Sequence, residues 1–267
     1  MANITDSIYK IRYLDELSQN DSFIHKLHPL VKLIVSLVYI IITVSYGKYE
    51  IMGLIPLILY PILLFNLGDI PFFPILKRSL IVLPVVLGLG AFNPILDKEA
   101  ITIILNVSIS GGWISYASLI IKCFLTVLCA LLLISTTGID KLALAMRNLF
   151  VPKIFVMQFL LTYRYISVLL EESGSIWTAY SLRAPKQKGI HYKSWGPLLG
   201  QLLIRTYDRA QRIYNGMVLR GFNGEFYEGQ MTLHAKDYTY LIVWIVFLTL
   251  ARLYNIPFLL GSIMTGV

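Results

Sequence analysis

The chain is poor in charge, in cysteine and in catalytic motifs, and each shortage removes a class of protein. Charged residues make up 14 % of its 267 residues, well below the roughly 25 % of soluble domains, and mean hydropathy is +0.69. That balance excludes an ordinary water-soluble fold. The two cysteines, Cys123 and Cys129, fall in one apolar run. On a helix they point about 240° apart, which excludes a disulfide or shared metal ligation, so both read as small buried apolar residues. The first 28 residues hold Lys10, Arg12, Asp15, Glu16 and Asp21 and no apolar core of a signal peptide, so the first apolar run is expected to open a retained helix.

Catalytic and carrier chemistry is equally thin. No G-x-x-x-x-G-K-[ST] occurs, so there is no phosphate cradle for ATP hydrolysis. All fifteen acidic residues lie outside the apolar runs, whereas a proton- or sodium-coupled carrier usually keeps a carboxylate near midplane. No Asp-rich motif offers the paired carboxylates that a magnesium-dependent isoprenoid enzyme needs. His25-x-x-His28 has a spacing that could hold a divalent ion, but Pro29 and the chain entry behind it favour capping and headgroup contact. His191 and His234 are isolated, and no metal site is assigned. The net charge of +8 reads as the cytoplasmic lysine and arginine excess of a membrane protein rather than as a nucleic-acid surface.

What the chain does have is apolar length. A bilayer core needs roughly 20 apolar residues per helix, and a lipid-exposed backbone must satisfy its own hydrogen bonds. Five runs qualify: Leu30 to Tyr46, Ile51 to Leu67 with Pro56 and Pro61, Leu80 to about Leu96, Ile114 to Ser135, and Tyr238 to about Leu260. Asn93-Pro94 cuts the third short. Between the third and fourth, AITIILNVSISGGWIS alternates in part, which suggests a short external hairpin or loop. Lys32 at the edge of the first run is expected to snorkel to the headgroups. Lys122 and Arg252 lie inside runs, at a cost of roughly 2.5–3.5 kcal/mol each. Lys122 must find carbonyls, a partner or a watery crevice, and Arg252 is expected to snorkel. Both read as structural, with contact to a partner subunit as the alternative. With the N-terminus inside, Lys10, Arg12, Lys26, Lys32, Lys77 and Arg78 are cytoplasmic and only Lys48 and Lys98 face out, as the positive-inside rule asks.

Between the fourth and fifth runs lie 102 residues, Thr136 to Asp237, too many for a plain loop. Three parts follow: 1–135, with four spans; 136–237, a cytoplasmic helical module; and 238–267, the last span. The module divides into three helices. The first follows Thr136-Thr137-Gly138, with Leu142, Ala145, Met146 and Leu149 on one face, and Pro152 ends it. The second runs from about Lys153 to Arg183; its first half is apolar almost all round, with Arg164 and Glu171 placed either for a buried ion pair or on a solvated cytoplasmic face. The third runs from Trp195 to Arg220. Leu199, Leu203, Thr206, Ala210, Ile213, Tyr214 and Met217 form an apolar stripe expected to lie on neighbouring helices. Arg205, Asp208, Arg209 and Arg212 lie opposite, Asp208 and Arg212 at i,i+4 spacing. Gly221 is a natural residue for ending it.

Two helix ends repeat a pattern. Leu182-Arg183-Ala184 and Leu219-Arg220-Gly221 each place an arginine before a small residue. A cation at a helix C-terminus has a bland use, contributing roughly 0.3–1 kcal/mol against the dipole. The duplication argues for more. A small neighbour admits a partner's backbone, and the guanidinium fork suits a carboxylate, so two tips imply two receptor grooves.

The stretches TTGIDKLALAMRNLFVPKIFVMQFLLTYRYISVLLEE and YDRAQRIYNGMVLRGFNGEF, with HPLVKLIVSL at the first span, resemble the transmembrane T component of energy-coupling-factor transporters. The CbiQ-like cobalt version is the closer match. The likeness covers essentially the whole chain and is strongest from Ser135 to Phe226. It implies an all-α polytopic protein of about five transmembrane helices, with a cytoplasmic module of coupling helices whose X-Arg-X tips dock on ATPases. Carried over, the tips are Leu182, Arg183, Ala184 and Leu219, Arg220, Gly221; the family often shows Ala-Arg-Gly, whereas the first tip here ends in alanine and Pro185. The resemblance also implies a non-catalytic subunit with no cofactor of its own. ATP and magnesium would be held by two ABC-type, CbiO-like ATPase subunits. A CbiM-like membrane subunit would capture substrate, with a small accessory membrane subunit as a further candidate. The location implied is the cell membrane, with the N-terminus cytoplasmic. A nickel or vitamin importer is the alternative within the family; a membrane enzyme or carrier acting alone is the alternative outside it.

Overall fold

In the computed structural model the described residues are 15–96, 100–104, 107–184, 189–224 and 232–254. Lys10, Arg12, Lys98, Lys186, Lys188, Asn255 and the expected end of the last span lie outside them. The architecture is all-α apart from one two-stranded hairpin. The described chain forms two compact units, 143–224 and 15–142 with 232–254, divided between Leu142 and Ala143.

In the second unit, α1 spans Pro29–Ser45, with proline in its first turn and the His28 side chain accepting from the Leu30 N–H at 3.2 Å. Two short 3₁₀ turns, Met52–Leu54 and Pro56–Ile58, lead into α2, Leu59–Gly68. Proline lacks the N–H for regular α-helix bonds, which accounts for the loosened start of the second expected span. After Pro71 the chain continues helically through α3 (Phe72–Ser79), a 3₁₀ turn (Leu80–Val82) and α4 (Leu83–Gly90), with α5 at Asn93–Leu96. The third span therefore begins at Phe72 instead of Leu80, and Lys77 and Arg78 lie in the last turn of α3 rather than in a loop. Pro84, in the first turn of α4, loosens this stretch without ending it. The next segment forms the expected hairpin: β1 (Ala100–Ile104) pairs antiparallel with β2 (Val107–Ser110). Then come α6 (Gly111–Thr137), α7 (Ile139–Arg147), α8 (Lys153–Arg183), α9 (Tyr192–Leu219) and α10 (Ala235–Leu253).

Among the described residues, three stretches are long and apolar enough to cross a membrane: Phe72–Gly90, Gly111–Thr137 and Lys153–Arg183. Pro29–Ser45 and Met52–Gly68 are shorter apolar helices. Helix α8, expected to belong to a cytoplasmic module, thus has the composition of a span. Its apolar first half carries the average past its polar end.

The core of the larger unit is built where α1, α2, α6 and α10 meet. Tyr39, Leu57, Tyr60, Cys129, Leu132 and Leu248 are all fully buried. Tyr60 lies 4.9 Å from the Tyr39 ring and edge-on to Trp244 at 4.6 Å. The Tyr39 hydroxyl donates to the Leu57 carbonyl at 3.1 Å, which satisfies a polar group that would be costly in an apolar interior.

Charges close both ends of this bundle. Lys32 is only 3 % exposed and does not snorkel; its ammonium donates to the Thr136 carbonyl at the C-terminus of α6, at 2.8 Å. Asp237, also 3 % exposed, accepts the His28 N–H with one carboxylate oxygen and the His234 N–H with the other, each at 2.8 Å. Its charge also acts on the Lys32 ammonium. At the other end of α1, Lys122 donates to the carbonyls of Tyr46 and Gly47, at 2.6 and 3.1 Å. Lys122 has found carbonyls, so the structural reading holds for it. Arg252, expected to snorkel, stays exposed and reaches the end of α1. It donates to the Ser45 carbonyl at 3.2 Å, lies over the Tyr46 ring and approaches Glu50 at 3.5 Å. The Tyr46 hydroxyl donates to the Ala251 carbonyl at 2.8 Å. Cations thus neutralise the carbonyl ends of α6 and α1, where the helix dipole is negative.

His25 and His28 do not converge on a metal. The two ring nitrogens of His25 face the Ser22 hydroxyl at 2.6 Å and the Leu17 carbonyl at 3.0 Å. Burial, then the Lys32 charge, holds its imidazole below the ordinary histidine value. Among the described residues no cluster of three or more metal-ligating side chains occurs.

Removing one partner from a buried charged contact costs about 3–5 kcal/mol. Lys32→Ala and Asp237→Ala should each lower unfolding stability in detergent by an amount of that order. The double variant should lose less than the sum, because the two side chains are coupled. Strict additivity in thermal unfolding would show that they act separately.

Candidate coupling site

The first tip is the end of α8. The helix closes with the Ala184 N–H on the Tyr180 carbonyl at 3.0 Å. Ala184 then leaves the helical region, at φ −129° and ψ 62°, as expected for a residue whose α conformation is disfavoured by the following proline. Leu182 is 76 % exposed, Arg183 is exposed and Ala184 half-buried.

The second tip is the end of α9. The Gly221 N–H donates to the Val218 carbonyl at 2.9 Å and the Phe222 N–H to Met217 at 3.0 Å. That is the full Schellman pair. It needs a left-handed residue after the cap, and Gly221 has φ +81°. Arg220 is the cap itself. Leu219 is 88 % exposed, and Arg220 and Gly221 are exposed. Among the described residues, neither the Arg183 nor the Arg220 guanidinium has a side-chain partner. An exposed leucine beside an exposed arginine can offer apolar contact and a bidentate donor to another surface.

Helices α8 and α9 run as an antiparallel pair. The His191 N–H, at the cap of α9, donates to the Tyr180 hydroxyl at 3.1 Å. Further along, Arg205 donates to Glu172 at 2.6 Å. Met157 and Met217 line one cleft, and Lys153 and Gly224 a smaller one. These pairs step back along α8 as they step forward along α9, in nearly constant register. The tips therefore lie at opposite ends of the hairpin. Helix α8 has 31 residues, so their separation is on the order of 40 Å.

Three expectations change. Helix α9 starts at Tyr192, three residues before Trp195, because the His191 ring accepts the Lys193 N–H at 3.3 Å and Pro197 is tolerated within the helix. Glu172, not Glu171, carries the ion pair, and its partner is Arg205 instead of Arg164. That pair is partly exposed and worth roughly 0–1 kcal/mol, so it guides register more than stability. The i,i+4 pair of Asp208 and Arg212 does not close among the described residues. The cleft of about 750 Å³ against α8 is lined by Leu203, Thr206, Ala210, Ile213, Tyr214 and Met217 but also by Arg205, Asp208, Arg209 and Arg212, so the two faces expected to lie opposite both border it, and no α9 residue is buried. Side-chain packing thus leaves this hairpin open along its length.

Asp237 and Lys32 were not legible as partners. The local signal was there: His234 and Asp237 form a reciprocal capping box at the start of α10, immediately before an apolar run. The bond from Asp237 to the His28 N–H, 209 residues earlier, has no local signature.

The sequence matches the model of the CbiQ family, described as cobalt transport protein, over residues 20–233. An uncharacterized protein of Methanocaldococcus jannaschii is 28 % identical over 235 residues, 83 % of this chain and 80 % of its own. The energy-coupling factor transporter transmembrane protein EcfT of Clostridium kluyveri is 25 % identical over 233 residues, 76 % of this chain and 81 % of its own. The nickel permease LarQ of Lactiplantibacillus plantarum is 30 % identical over 119 residues, 42 % of this chain and 43 % of its own.

A branched residue at Gly221 must adopt a left-handed conformation that costs about 1–2 kcal/mol. Gly221→Val should therefore speed hydrogen exchange at the Phe222 amide by roughly tenfold. Gly216→Ala, where an added Cβ meets open space inside the helix, should leave it unchanged or slower. Equal protection in both variants would show that the tip does not depend on this turn.

Proposed function

The chain belongs to the CbiQ family of cobalt transport proteins, and from that premise we propose that it is the coupling membrane subunit of an energy-coupling-factor importer. Two ABC-type ATPase subunits, CbiO-like, receive Leu182-Arg183-Ala184 and Leu219-Arg220-Gly221. They hold the ATP and magnesium. A CbiM-like membrane subunit, with a small accessory subunit, presents the substrate. The subunit sits in the cell membrane with its N-terminus in the cytoplasm, and catalyses no reaction itself.

One observation carries this reading: two exposed arginines, without side-chain partners among the described residues, stand at opposite ends of one helical hairpin. A separation on the order of 40 Å suits two separate receptors better than one bivalent groove. When the ATPases close on ATP, tips so held move with them, and long helices convert that movement into displacement at their other ends. A device of this kind needs stiff levers and specific end contacts. Cobalt is the favoured cargo because the family description names it. Nickel is the second reading, since the relative LarQ is a nickel permease.

The test is co-expression with the ATPases, followed by co-purification and metal uptake in proteoliposomes. Truncating one partner of a buried charge pair at an interface costs about 2–5 kcal/mol, so Arg183→Ala and Arg220→Ala should each weaken ATPase association by at least roughly 30-fold. The double variant should abolish uptake. Arg220→Lys keeps the charge but loses the fork and should recover only part. Full assembly and full uptake in the double variant would sink the proposal. Competition between cobalt and nickel in the same vesicles decides the cargo.

A further inference from the structure

The first docking tip has neighbours outside its own three residues. Helix α9 begins beside it. The His191 N–H, at the cap of α9, donates to the Tyr180 hydroxyl at 3.1 Å, one turn before Arg183. Carried to this end from the Arg205–Glu172 pair, the antiparallel register sets Tyr192 level with the last turn of α8, where Leu182 and Arg183 lie. Tyr192 and Trp195 continue the arc of α9 that carries Leu203, Thr206 and Met217, three residues that line the cleft against α8. The last turn of α8 nevertheless leaves them uncovered, with Tyr192 90 % and Trp195 47 % exposed. Among the described residues, neither the Tyr192 hydroxyl nor the Trp195 indole N–H has a hydrogen-bond partner.

These rings are held in place. The His191 ring accepts the Lys193 N–H at 3.3 Å and closes the first turn of α9. A tyrosine or tryptophan on a fixed helical turn offers a large amphipathic surface and has few rotamers to lose on binding. Arginine, tyrosine and tryptophan are also the residues that dominate binding hot spots, and here all three meet at one end of the hairpin. The first tip has more need of added contact than the second. Ala184 carries a Cβ where the second tip has Gly221, so a partner's backbone approaches less closely, and Pro185 has no N–H to offer.

We propose that the first tip docks as a composite surface, with Leu182 and Arg183 of α8 and Tyr192 and Trp195 of α9 received together by one ATPase subunit. This rests on the reading of the helix tips as ATPase contacts. The receiving surface is a recess with an apolar wall for the leucine and the two rings. It carries a carboxylate for the guanidinium and acceptor oxygens for the tyrosine hydroxyl and the indole N–H.

The experiment measures the affinity of the purified full chain, in detergent, for its purified CbiO-like ATPase. Thermal unfolding is compared for every variant, and Trp195→Ala carries the test if Tyr192→Ala fails to fold. Tyr192→Ala and Trp195→Ala should each weaken association by about tenfold. Tyr192→Phe, which keeps the ring, should recover most of the loss. Tyr207→Ala, at an exposed tyrosine in the middle of α9, should change nothing. Combined with Arg183→Ala, the loss from Tyr192→Ala should be smaller than in the native chain, because both side chains meet one recess; combined with Arg220→Ala it should keep its full size. Native affinity in Tyr192→Ala and Trp195→Ala, beside weakened binding in Arg183→Ala, overturns the composite surface and leaves the three-residue tip in its place. A Tyr192→Ala loss of undiminished size beside Arg183→Ala overturns it too, since the ring would then act elsewhere. Native affinity in both Arg183→Ala and Arg220→Ala removes the docking reading itself, and the composite surface with it.

Discussion

The interaction on which the rest depends is the buried pairing of Lys32 with the end of α6 and of Asp237 with the starts of α1 and α10. Helix α6 ends at Thr137, and the carbonyl of Thr136 holds the Lys32 ammonium at 2.8 Å. Helix α10 is capped by His234, whose N–H is held by Asp237 at 2.8 Å. Asp237 also binds the His28 N–H, four residues before Lys32. The end of α6 and the starts of α1 and α10 therefore meet in one cluster at the foot of α1. A buried charge deprived of its partner is strongly unfavourable, so these ends resist separation. Gly138, at φ +76°, makes the turn out of α6 beside Ser18, with no room for a Cβ.

The same elementary physics is used in two ways. A helix C-terminus carries partial negative charge and attracts cations. In the larger unit that attraction is consumed internally, by Lys32 on α6 and by Lys122 and Arg252 on α1. In the hairpin of α8 and α9 the terminal arginines are exposed and without side-chain partners among the described residues. Cations inside the bundle lock helices together; cations at its extended tips remain available to another molecule. The distinction lies in what each cation reaches: Lys32, Lys122 and Arg252 each meet a backbone carbonyl at a helix end.

Much of this was legible in the sequence where the signal is local. The bounds of α8 follow from Pro152 on one side and Ala184-Pro185 on the other, and the end of α9 from Gly221. Lys122 had to find carbonyls because an apolar span offers little else. The start of the third span at Phe72 was hidden because Lys77 and Arg78 look like loop residues, yet they sit in the last turn of α3. Lys32 looked free to snorkel because its partner lies 104 residues away. The antiparallel register of α8 and α9 was hidden for the same reason: no spacing in either helix indicates which face meets which. The membrane character of the family was legible throughout, since composition alone demands it.

The central claim is that one stiff hairpin presents two widely separated tips to two receptors. It is tested most directly by pulsed electron–electron resonance between spin labels at Leu182→Cys and Leu219→Cys, in a chain carrying Cys123→Ala and Cys129→Ala and assembled with its ATPases. The account expects one narrow distance distribution, on the order of 40 Å, that stays narrow when ATP is trapped. A distance well below about half that value, or a broad distribution that collapses on nucleotide binding, would contradict the lever and leave two flexible tails in its place.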